Sequence, residues 1–416
     1  MTNMSIDRHE RKWVVAQIGA RQHYAVARAI YQQERLHQLY TDAWCSLGRE
    51  LLQALPDPFR SFANRYHPDL PQSHVTSFTT DAIRQRMRWK LRRRKTDEAR
   101  FQHHVEIGHR FGERVVKDLK EQRVNPDEII FFGYDTGCYE VAQWMKETEG
   151  TVVVDQIDPG RVEKEIVLEE IKRWPGWATQ VPVLYPPHYE RIEAEWDLAS
   201  IVMVNSQWSK DALIQQGVSE SKIEIIPIAY EPKKATNKIR NTKSDGLFRV
   251  LWLGSVILRK GIQYLIEAAK LLSENHIQID VVGPIGITEE ALQKAPECVT
   301  FHGRVPRDET SQWYQNADFF VLPTLSDGFA ITQLEAMAHG LPVITTPRCG
   351  TVVEDGTSGF IIPARDPESL AKAIGKASSL PYLDEMKEQA HRRVYDFRLS
   401  HIGNKLVSMV NNRIRQ

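Results

Sequence analysis

The stretch SDGFAITQLEAMAHGLPVITTP, from Ser326 to Pro347, decides the fold. It follows the apolar run from Phe319 to Leu322, opens with a glycine-bearing turn, and shows a helical pattern from Ile331 to His339. The glycine and proline that come next end the helix, and Val343 to Thr345 form a short apolar run typical of a buried strand. The stretch therefore predicts a unit of strand, loop, helix and strand.

The loop of this unit suits a ligand that carries both phosphate and hydroxyl groups. The first helical turn points unpaired N–H groups toward the strand end, so the loop from Gly328 to Ile331 can hold a phosphate on backbone donors. Asp327 and Glu335 have seven residues between them, a spacing that puts two carboxylates near one mouth. Carboxylates accept hydrogen bonds from sugar hydroxyls. We therefore interpret the unit as a sugar nucleotide site.

Composition predicts a folded globular protein with more than one domain. A chain of 416 residues is too long for one ordinary hydrophobic core, so we expect two or three domains. Lys plus Arg and Asp plus Glu number 54 each, so no overall field attracts nucleic acid or a membrane. The sequence shows no signal peptide pattern, no apolar run of about 18 residues, and no metal-ligand spacing among its four cysteines. We expect a cytoplasmic protein that needs no metal and no cofactor.

Strand and helix patterns alternate along both halves of the chain, which predicts parallel sheets covered on both faces. In the first half, a strand from Trp13 to Ile18 runs into Gly19 and then a helix-like stretch from Gln22 to Leu39. The pattern divides the chain into a first domain over 1–230, a polar linker over 231–246, a second domain over 247–381 and a terminal helix over 382–416.

The run RQRMRWKLRRRK, from Arg84 to Lys95, carries eight basic side chains in twelve positions. A solvated helix face is the favoured interpretation. A site for anionic lipid heads on the inner face of a membrane, or for an acceptor phosphate, is the alternative. Nucleic acid is disfavoured because the rest of the chain is balanced in charge and shows no reader motif.

The stretch GSVILRKG, from Gly254 to Gly261, lies between a buried strand and a helix and sets Arg259 and Lys260 beside the helix entrance. Paired cations at this place can neutralise a diphosphate whose charge grows as it leaves, without any proton transfer. Two exposed cations in an ordinary loop would give the same triplet. The motif alone leaves both interpretations open.

Four segments in series resemble glycosyltransferase family 4, the retaining nucleotide-sugar transferases of the GT-B fold: GSVILRKG, VTFHGRVP, ADFFVLPTLSDGFAITQLEAMAHGLPVI and VVEDGTSGFIIP. The resemblance is strong from Phe248 to about Ile374, includes VNSQWSKDALIQQGV and IEIIPIAY, and is only general over the first 200 residues. It implies an α/β protein with two Rossmann-like domains facing across a cleft. The acceptor would bind the first domain and the donor the second, and the terminal helix would cross back to the first domain.

The resemblance also implies roles for individual residues. Glu335 would accept from the ribose hydroxyls, Asp327 would hold the transferred sugar, and Arg259 with Lys260 would meet the diphosphate as the catalytic cations. The segment HGRVP would line the base. The donor-binding set is Gly254, Ser255, Arg304, Val305, Gly328, Phe329, Ala330 and Ile331.

Three departures from the family pattern are present. The first acid is Asp327 rather than the usual glutamate, so its contact with the sugar is altered. Ser255 stands where many members carry arginine, which leaves more of the phosphate charge to Arg259 and Lys260. The histidine often found after a front-domain strand is absent near Asp155.

The acceptor side offers five candidates, which are Gly19, Arg21, His23, Asp155 and Asp158. Arg21 and His23 follow the first strand, where a ligand edge is expected. The two aspartates fit a role near the sugar or acceptor, and equally a role in the turn and cap before a helix that begins near Arg161. An exposed histidine without function is the alternative for His23.

Together with these patterns, the resemblance implies a retaining hexosyltransferase that moves a sugar from a nucleoside diphosphate sugar to a hydroxyl of a glycan, polysaccharide or lipid-linked acceptor. One alternative is a nucleotide-sugar epimerase on the same fold, which would need its own acid and base. The other is a non-catalytic nucleotide-sugar-binding subunit. The presence of both cations and both acids argues against a binding subunit. The aspartate at the first acid, in place of the usual glutamate, leaves this alternative open.

Overall fold

The computed structural model describes residues 11–54, 60–91, 96–232, 246–272 and 276–415, and over these residues the chain forms two parallel sheets. The strands of the first sheet are β1 (Lys12–Gln17), β2 (Leu36–Thr41), β3 (Val75–Ser77), β4 (Ile129–Tyr134), β5 (Thr151–Gln156), β6 (Ile201–Val204) and β7 (Ile223–Ile225). Those of the second are β8 (Phe248–Leu253), β9 (Ile277–Val282), β10 (Val299–Gly303), β11 (Phe319–Leu322), β12 (Val343–Thr345) and β13 (Gly359–Ile361).

Helices cover the faces of both sheets. They are α1 (Ala25–Gln32), α2 (Arg49–Gln53), α3 (Thr79–Leu91), α4 (Asp97–Glu121), α5 (Tyr139–Met145), α6 (Arg161–Arg173), α7 (Pro186–Leu198), α8 (Gln207–Gln215), α9 (Ile262–Lys270), α10 (Glu289–Leu292), α11 (Thr310–Asn316), α12 (Ile331–Ala338), α13 (Pro367–Ser378), α14 (Leu383–Arg393) and α15 (Leu399–Arg415). The predicted α/β class with two parallel-sheet domains is confirmed.

The central strands are buried along their whole length because both faces of each sheet are covered. All six positions of β4 and all six of β5 are buried. Such strands lack an alternating polar face, as expected for parallel sheets packed between helices. The two sheets have separate apolar cores on their two faces.

The strand orders place a ligand edge in each sheet. They are β3-β2-β1-β4-β5-β6-β7 and β10-β9-β8-β11-β12-β13, with every pair parallel. In each sheet the direction of winding reverses beside the first strand, between β1 and β4 and between β8 and β11. Ligands of open α/β sheets bind outside the carboxyl ends of the strands at such a point.

The helix predicted from Gln22 to Leu39 is wrong in its second half. α1 ends at Gln32, Glu34 adopts a left-handed φ of 56°, and the chain then forms β2. Leu39 and Tyr40, which carry part of the apolar pattern, are fully buried in pairing with β1. Tertiary pairing overrides a helical pattern here because β2 gains a ladder with β1 and β3 that an isolated helix end cannot offer.

The terminal helix is two helices rather than one. A single 3₁₀ turn at Val394–Phe397 separates α14 from α15. The turn is anchored, since Phe397 O accepts from Tyr230 N at 2.7 Å. α14 packs on α12 of the second domain, whereas α15 packs on α1 beside the first sheet. At this crossing a Cβ added to Gly403 would lie 3.2 Å from Ala29 Cβ, so glycine allows the two helices to approach closely.

The chain also crosses to the second domain in the segment between α6 and α7. Trp177 is 3% exposed and lies in the core formed around β8 and β9. Its carbonyl oxygen accepts from Thr288 N at 2.8 Å, and Gly176 O accepts from Thr288 Oγ1 at 2.8 Å. The segment 174–179 therefore belongs, by its packing, to the second domain.

Parts of two predicted segments lie outside the described residues. They are 233–245 of the linker and 92–95 of the basic run. Within the described ranges, every helix is too short or too polar to span a bilayer.

Candidate functional site

The carboxyl ends of β8 and β11 meet two loops, which we call the glycine loop (residues 254–261) and the acid loop (residues 326–330). Backbone packing brings the glycine loop close to the neighbouring strand end. A Cβ on Gly283 would lie 1.7 Å from Gly254 O, and a Cβ on Gly261 would lie 1.9 Å from Pro323 O. Only glycine fits at these two contacts, where φ is also positive. Ser255 is exposed at the mouth.

Arg259 and Lys260 lie in a 3₁₀ turn at Leu258–Lys260, directly before α9. Arg259 Nη1 donates to Ser326 O at 2.7 Å and to Glu163 Oε2 at 3.1 Å. Lys260 Nζ forms an ion pair with Asp327 Oδ2. The structure thus brings both cations and the first acid of the motif into one cluster, with each cation already facing a carboxylate.

The acid loop provides fewer free amides than the sequence predicts. The N–H of Ala330 donates to Cys349 O at 3.1 Å, and that of Asp327 donates to Arg348 O at 2.9 Å. Gly328 presses against the first domain, since a Cβ there would lie 2.0 Å from Ile157 O. α12 begins at Ile331 without a side-chain cap, and Gln333 N donates to Ala330 O at 3.1 Å, so the N–H groups of Ile331 and Thr332 remain as donors in its first turn.

Glu335 is half-buried on α12, and Tyr314 of α11 orients it. Tyr314 Oη donates to Glu335 Oε2 at 2.9 Å. Burial, and next the charge of Glu335, raises the pKa of Tyr314 well above its ordinary value, so the phenol stays a donor. The hydrogen bond therefore fixes one oxygen of the Glu335 carboxylate, Oε2.

Arg304 and Val305 follow β10 at the outer side of the same edge. Arg304 is exposed. Val305 packs against the apolar cluster that also contains Phe329 and Leu334. The predicted donor residues therefore line one continuous edge of the second sheet, from β10 across β8 to β11.

The predicted acceptor residues at the end of β1 behave differently from one another. Gly19 N donates to Asp42 Oδ1 at 2.8 Å, with φ at +92°. Arg21 turns toward the sheet, where Nη1 lies 3.7 Å from Asp135 Oδ1. His23 is exposed and, with Gln22, adopts a left-handed φ of about 50°. Such conformations are strained for side chains with a Cβ and concentrate at functional sites.

Asp155 and Asp158 lie in different environments. Asp155 is fully buried, and neither of its carboxylate oxygens has a hydrogen-bond partner among the described residues. Burial, and next the charge of the nearby Asp135, raises its pKa to about 8. Asp158 accepts from Gly160 N at 2.8 Å and from Gln156 Nε2 at 3.0 Å, next to the acid loop. Asp158 thus has the turn-forming contacts that the sequence allowed.

Two glutamates of the first domain were missed by the sequence patterns. Glu163, in the first turn of α6, is 8% exposed and contacts Arg259 and Ser326 of the second domain. Glu195, on α7, is fully buried and its carboxylate faces the start of α5. A glutamate on an amphipathic helix carries no signal by itself. For Glu163 the preceding Asp-Pro-Gly turn marks a helix start, and an acid in that first turn is favourable there.

Glu195 fills the anion position of the first domain. Its carboxylate accepts from the N–H groups of Thr136 at 2.7 Å, Cys138 at 3.2 Å and Tyr139 at 3.1 Å. Arg191 Nε lies 3.7 Å from the same group. A phosphate therefore has no place at the start of α5.

Over the described ranges the structure contains no group of three histidine, cysteine or acidic side chains arranged to hold a metal ion.

Comparison with known proteins finds similarity over the part of the chain that forms this edge. Residues 248–379, which contain the glycine loop, the acid loop and α12, match the family described as "Glycosyl transferases group 1". Among curated proteins, the amylovoran biosynthesis glycosyltransferase AmsK of Erwinia amylovora is 26% identical over 266 residues, which cover 60% of this chain and 60% of AmsK. The match thus spans less than two thirds of that relative.

Among solved structures, the sucrose-phosphate synthase of Thermosynechococcus elongatus superposes with a TM-score of 0.60 at 17% identity, covering 97% of this chain and 98% of the other. Anabaena HepE in complex with UDP superposes with a TM-score of 0.59 at 16% identity, covering 97% and 100%. At these identities the likeness establishes the fold. The chain has the GT-B fold, and its residues 248–379 are similar to a group 1 glycosyltransferase domain.

Proposed function

We propose that this chain is a retaining glycosyltransferase of family 4 that moves a sugar from a nucleoside diphosphate sugar to an acceptor hydroxyl. One observation carries the proposal. At the edge of the second sheet, Arg259 and Lys260 lie near the start of α12, which has no side-chain cap, and Glu335 lies further along the same helix. Cations and helix N–H groups suit a diphosphate, and a carboxylate suits a ribose diol.

In the proposed reaction, the bond between the anomeric carbon and the diphosphate oxygen breaks while the acceptor oxygen bonds to the same face of that carbon. The hydroxyl proton passes to a phosphate oxygen as the diphosphate leaves. Arg259 and Lys260 meet the charge that develops on the leaving group. Asp327, held by Lys260, faces the transferred sugar.

The acceptor is proposed to enter from the first domain, on the side of Arg21, His23 and Asp158. The name of AmsK favours a bacterial polysaccharide or a lipid-linked precursor as acceptor, and the HepE complex favours UDP as the nucleotide to test first.

Contact with an anionic membrane surface is proposed for α3. Its exposed side chains combine cations with apolar groups: Arg84, Arg88 and Lys90, together with Met87 and Leu91, which are 51% and 80% exposed. Replacing the three cations with serine should reduce co-sedimentation with phosphatidylserine vesicles, by about 1 kcal/mol for each cation. Parent protein that does not sediment with these vesicles would leave α3 as a solvated helix.

The function is tested by incubating the purified chain with UDP, GDP and ADP sugars and measuring thermal shift, nucleotide release and product in the presence of glycan and lipid-linked acceptors. We expect release that depends on acceptor, and initial rates that persist in excess EDTA because side-chain cations meet the diphosphate. Donor turnover without acceptor would indicate an epimerase. Binding without turnover would indicate a binding subunit. Loss of activity in EDTA with recovery in Mn²⁺ would replace the arginine and lysine mechanism with a metal one.

A further inference from the structure

A carboxylate from the first domain faces the cation that the proposed donor diphosphate needs. Glu163 Oε2 accepts from Arg259 Nη1 at 3.1 Å and from Ser326 Oγ at 3.3 Å. The side chain of Glu163 is 11% exposed and that of Arg259 is 22% exposed, so water screens the pair poorly. Glu163 and a diphosphate would therefore compete for one guanidinium group.

The groups around Glu163 sharpen this competition. Two acids face it, Asp158 from the loop after β5 and Asp327 from the acid loop. Lys164 of its own helix and Tyr189 of α7 also lie near it. A diphosphate diester adds about two negative charges beside these acids, and like charges at close range disfavour the ionised form of a carboxyl group.

Glu163 is not free to retreat, because α6 is fastened to the second domain. Glu170, on the same helix, is fully buried and accepts hydrogen bonds from Gln263 Nε2 and Tyr264 Oη at 2.9 Å each. Arg365 Nε lies 2.7 Å from the other oxygen of Glu170. Trp177, just beyond the helix, is buried in the core of the second domain.

Protonation resolves the conflict without moving α6. Burial raises the pKa of Glu163 to about 7, in spite of the lowering effect of Arg259. A proton from solvent therefore binds this carboxyl group near neutral pH at small cost. The protonated group donates a hydrogen bond instead of repelling the diphosphate.

We propose that Glu163 is a positioning residue that competes with the donor diphosphate for Arg259 and takes up one proton when the donor binds. The inference rests on the function proposed above and adds proton-linked control of donor affinity to the same site. Donor binding should weaken as pH rises, because the proton that accompanies it becomes scarce.

The experiment uses the full chain and calorimetric titration with a UDP sugar from the panel that binds it. The two phosphates of such a donor do not titrate between about pH 6 and about pH 8.5, and its uracil ring stays neutral there, so the protein supplies the pH dependence over this range. In two buffers of different ionisation enthalpy, we expect uptake of close to one proton at pH 8. We expect Kd to rise about tenfold per pH unit above pH 7.

Glu163→Gln keeps the size of the side chain and an acceptor oxygen but removes the charge. We expect it to bind the donor about tenfold more tightly than the parent at pH 8, with little pH dependence and no proton uptake. The control is Glu165→Gln, which removes the same charge from an exposed position two residues along α6 and should behave as the parent.

Parent protein that binds the donor with constant Kd and no proton uptake would overturn the inference while leaving the proposed function intact. Glu163→Gln with the parent's slope would do the same. The buffer experiment on the parent decides the matter even if the variant does not fold. Failure of every nucleotide sugar to bind the parent would instead count against the proposed function, and the inference would fall with it.

Discussion

The start of α5 in the first domain and the start of α12 in the second occupy equivalent places, each following a central strand of a parallel sheet. At α5 the N–H groups of Thr136, Cys138 and Tyr139 are satisfied by the carboxylate of Glu195. At α12 no side chain caps the helix, and the nearest acid, Asp327, is turned toward Lys260. One edge is closed by an internal carboxyl group, whose pKa is raised by burial to about 8, and the other presents donors and cations.

The difference shows that topology alone does not make a phosphate site. Both sheets reverse their winding beside the first strand and so provide a crevice. In the first domain, α7 brings a glutamate into that crevice from 59 positions away in the chain. In the second domain the glycine loop brings two cations. The side chains that reach the edge decide which domain takes the diphosphate.

The largest change to the difference between the two edges is expected when the carboxyl group of Glu195 is removed. Glu195→Ala leaves three backbone N–H groups without their acceptor and takes away the carboxyl group that lies 3.7 Å from Arg191 Nε, and we expect the free energy of unfolding to fall by about 3–5 kcal/mol. Urea denaturation followed by far-ultraviolet circular dichroism measures it. Glu190→Ala, an exposed position on α7, is the control and should change stability by less than about 0.5 kcal/mol. Equal midpoints for both variants would refute a stabilising role for Glu195.

On the other edge, Arg259→Ala should lower kcat by about 10²–10³-fold, equivalent to about 2.7–4 kcal/mol, because the charge it meets develops as the bond breaks. Donor affinity should change less. Initial rates at saturating donor measure the effect, and Lys260→Ala should change kcat in the same direction. Arg307→Ala, an exposed position after β10, serves as control. Normal turnover by the Arg259 and Lys260 variants would exclude these cations from the reaction.

The carboxylate of α12 should matter for binding rather than for turnover. Glu335→Gln replaces a charged acceptor that Tyr314 orients, and we expect donor affinity to fall by about 1.5–3 kcal/mol. Calorimetry of UDP sugar binding measures the loss. Glu368→Gln, exposed at the start of α13, provides the matched control. Unchanged affinity in the Glu335 variant would remove this residue from the donor site.

The smallest expected effect concerns Asp155, the buried aspartate of β5 in the first sheet. The pKa of Asp155 is raised to about 8 in the folded chain, so the folded state holds its proton more tightly than the unfolded state. The stability from this group is complete below its ordinary pKa and is lost as pH rises toward 8, by at most about 1.4 kcal/mol per pH unit. Asp155→Asn should remove that part of the decline. Unfolding free energies of parent and variant at pH 6 and pH 7 test it, and parallel slopes would show that Asp155 does not titrate in this range.

Local patterns predicted much of the second domain. β11 and β12 begin and end at the residues that the apolar runs indicated, and α12 begins at Ile331 as its helical pattern predicted. Such elements follow the sequence because their signals, a short apolar run or a helical pattern, lie within a few residues.

Two errors, one in each domain, have the opposite cause. β2 was predicted as helix because its leucines continue the helical spacing of α1, and only pairing with β1 and β3 makes the segment a strand. The amide of Ala330 was predicted to be free for phosphate, but Cys349 O lies against it. In both cases the deciding partner is distant in sequence and leaves no local trace.

The sequence by itself determined the two α/β layers, the glycine and acid loops, and the spacing that places Asp327 and Glu335 near one mouth, because each of these depends on residue order over one turn or one strand. Only the tertiary structure decided that Glu195 closes the first edge and that Glu163 reaches Arg259 across the domain boundary. It also decided that segment 174–179 joins the core of the second domain. The physical reason is that a buried charge is positioned by whatever acceptors and donors the folded chain brings within hydrogen-bond distance, and that information exists only once α6 and α7 have packed.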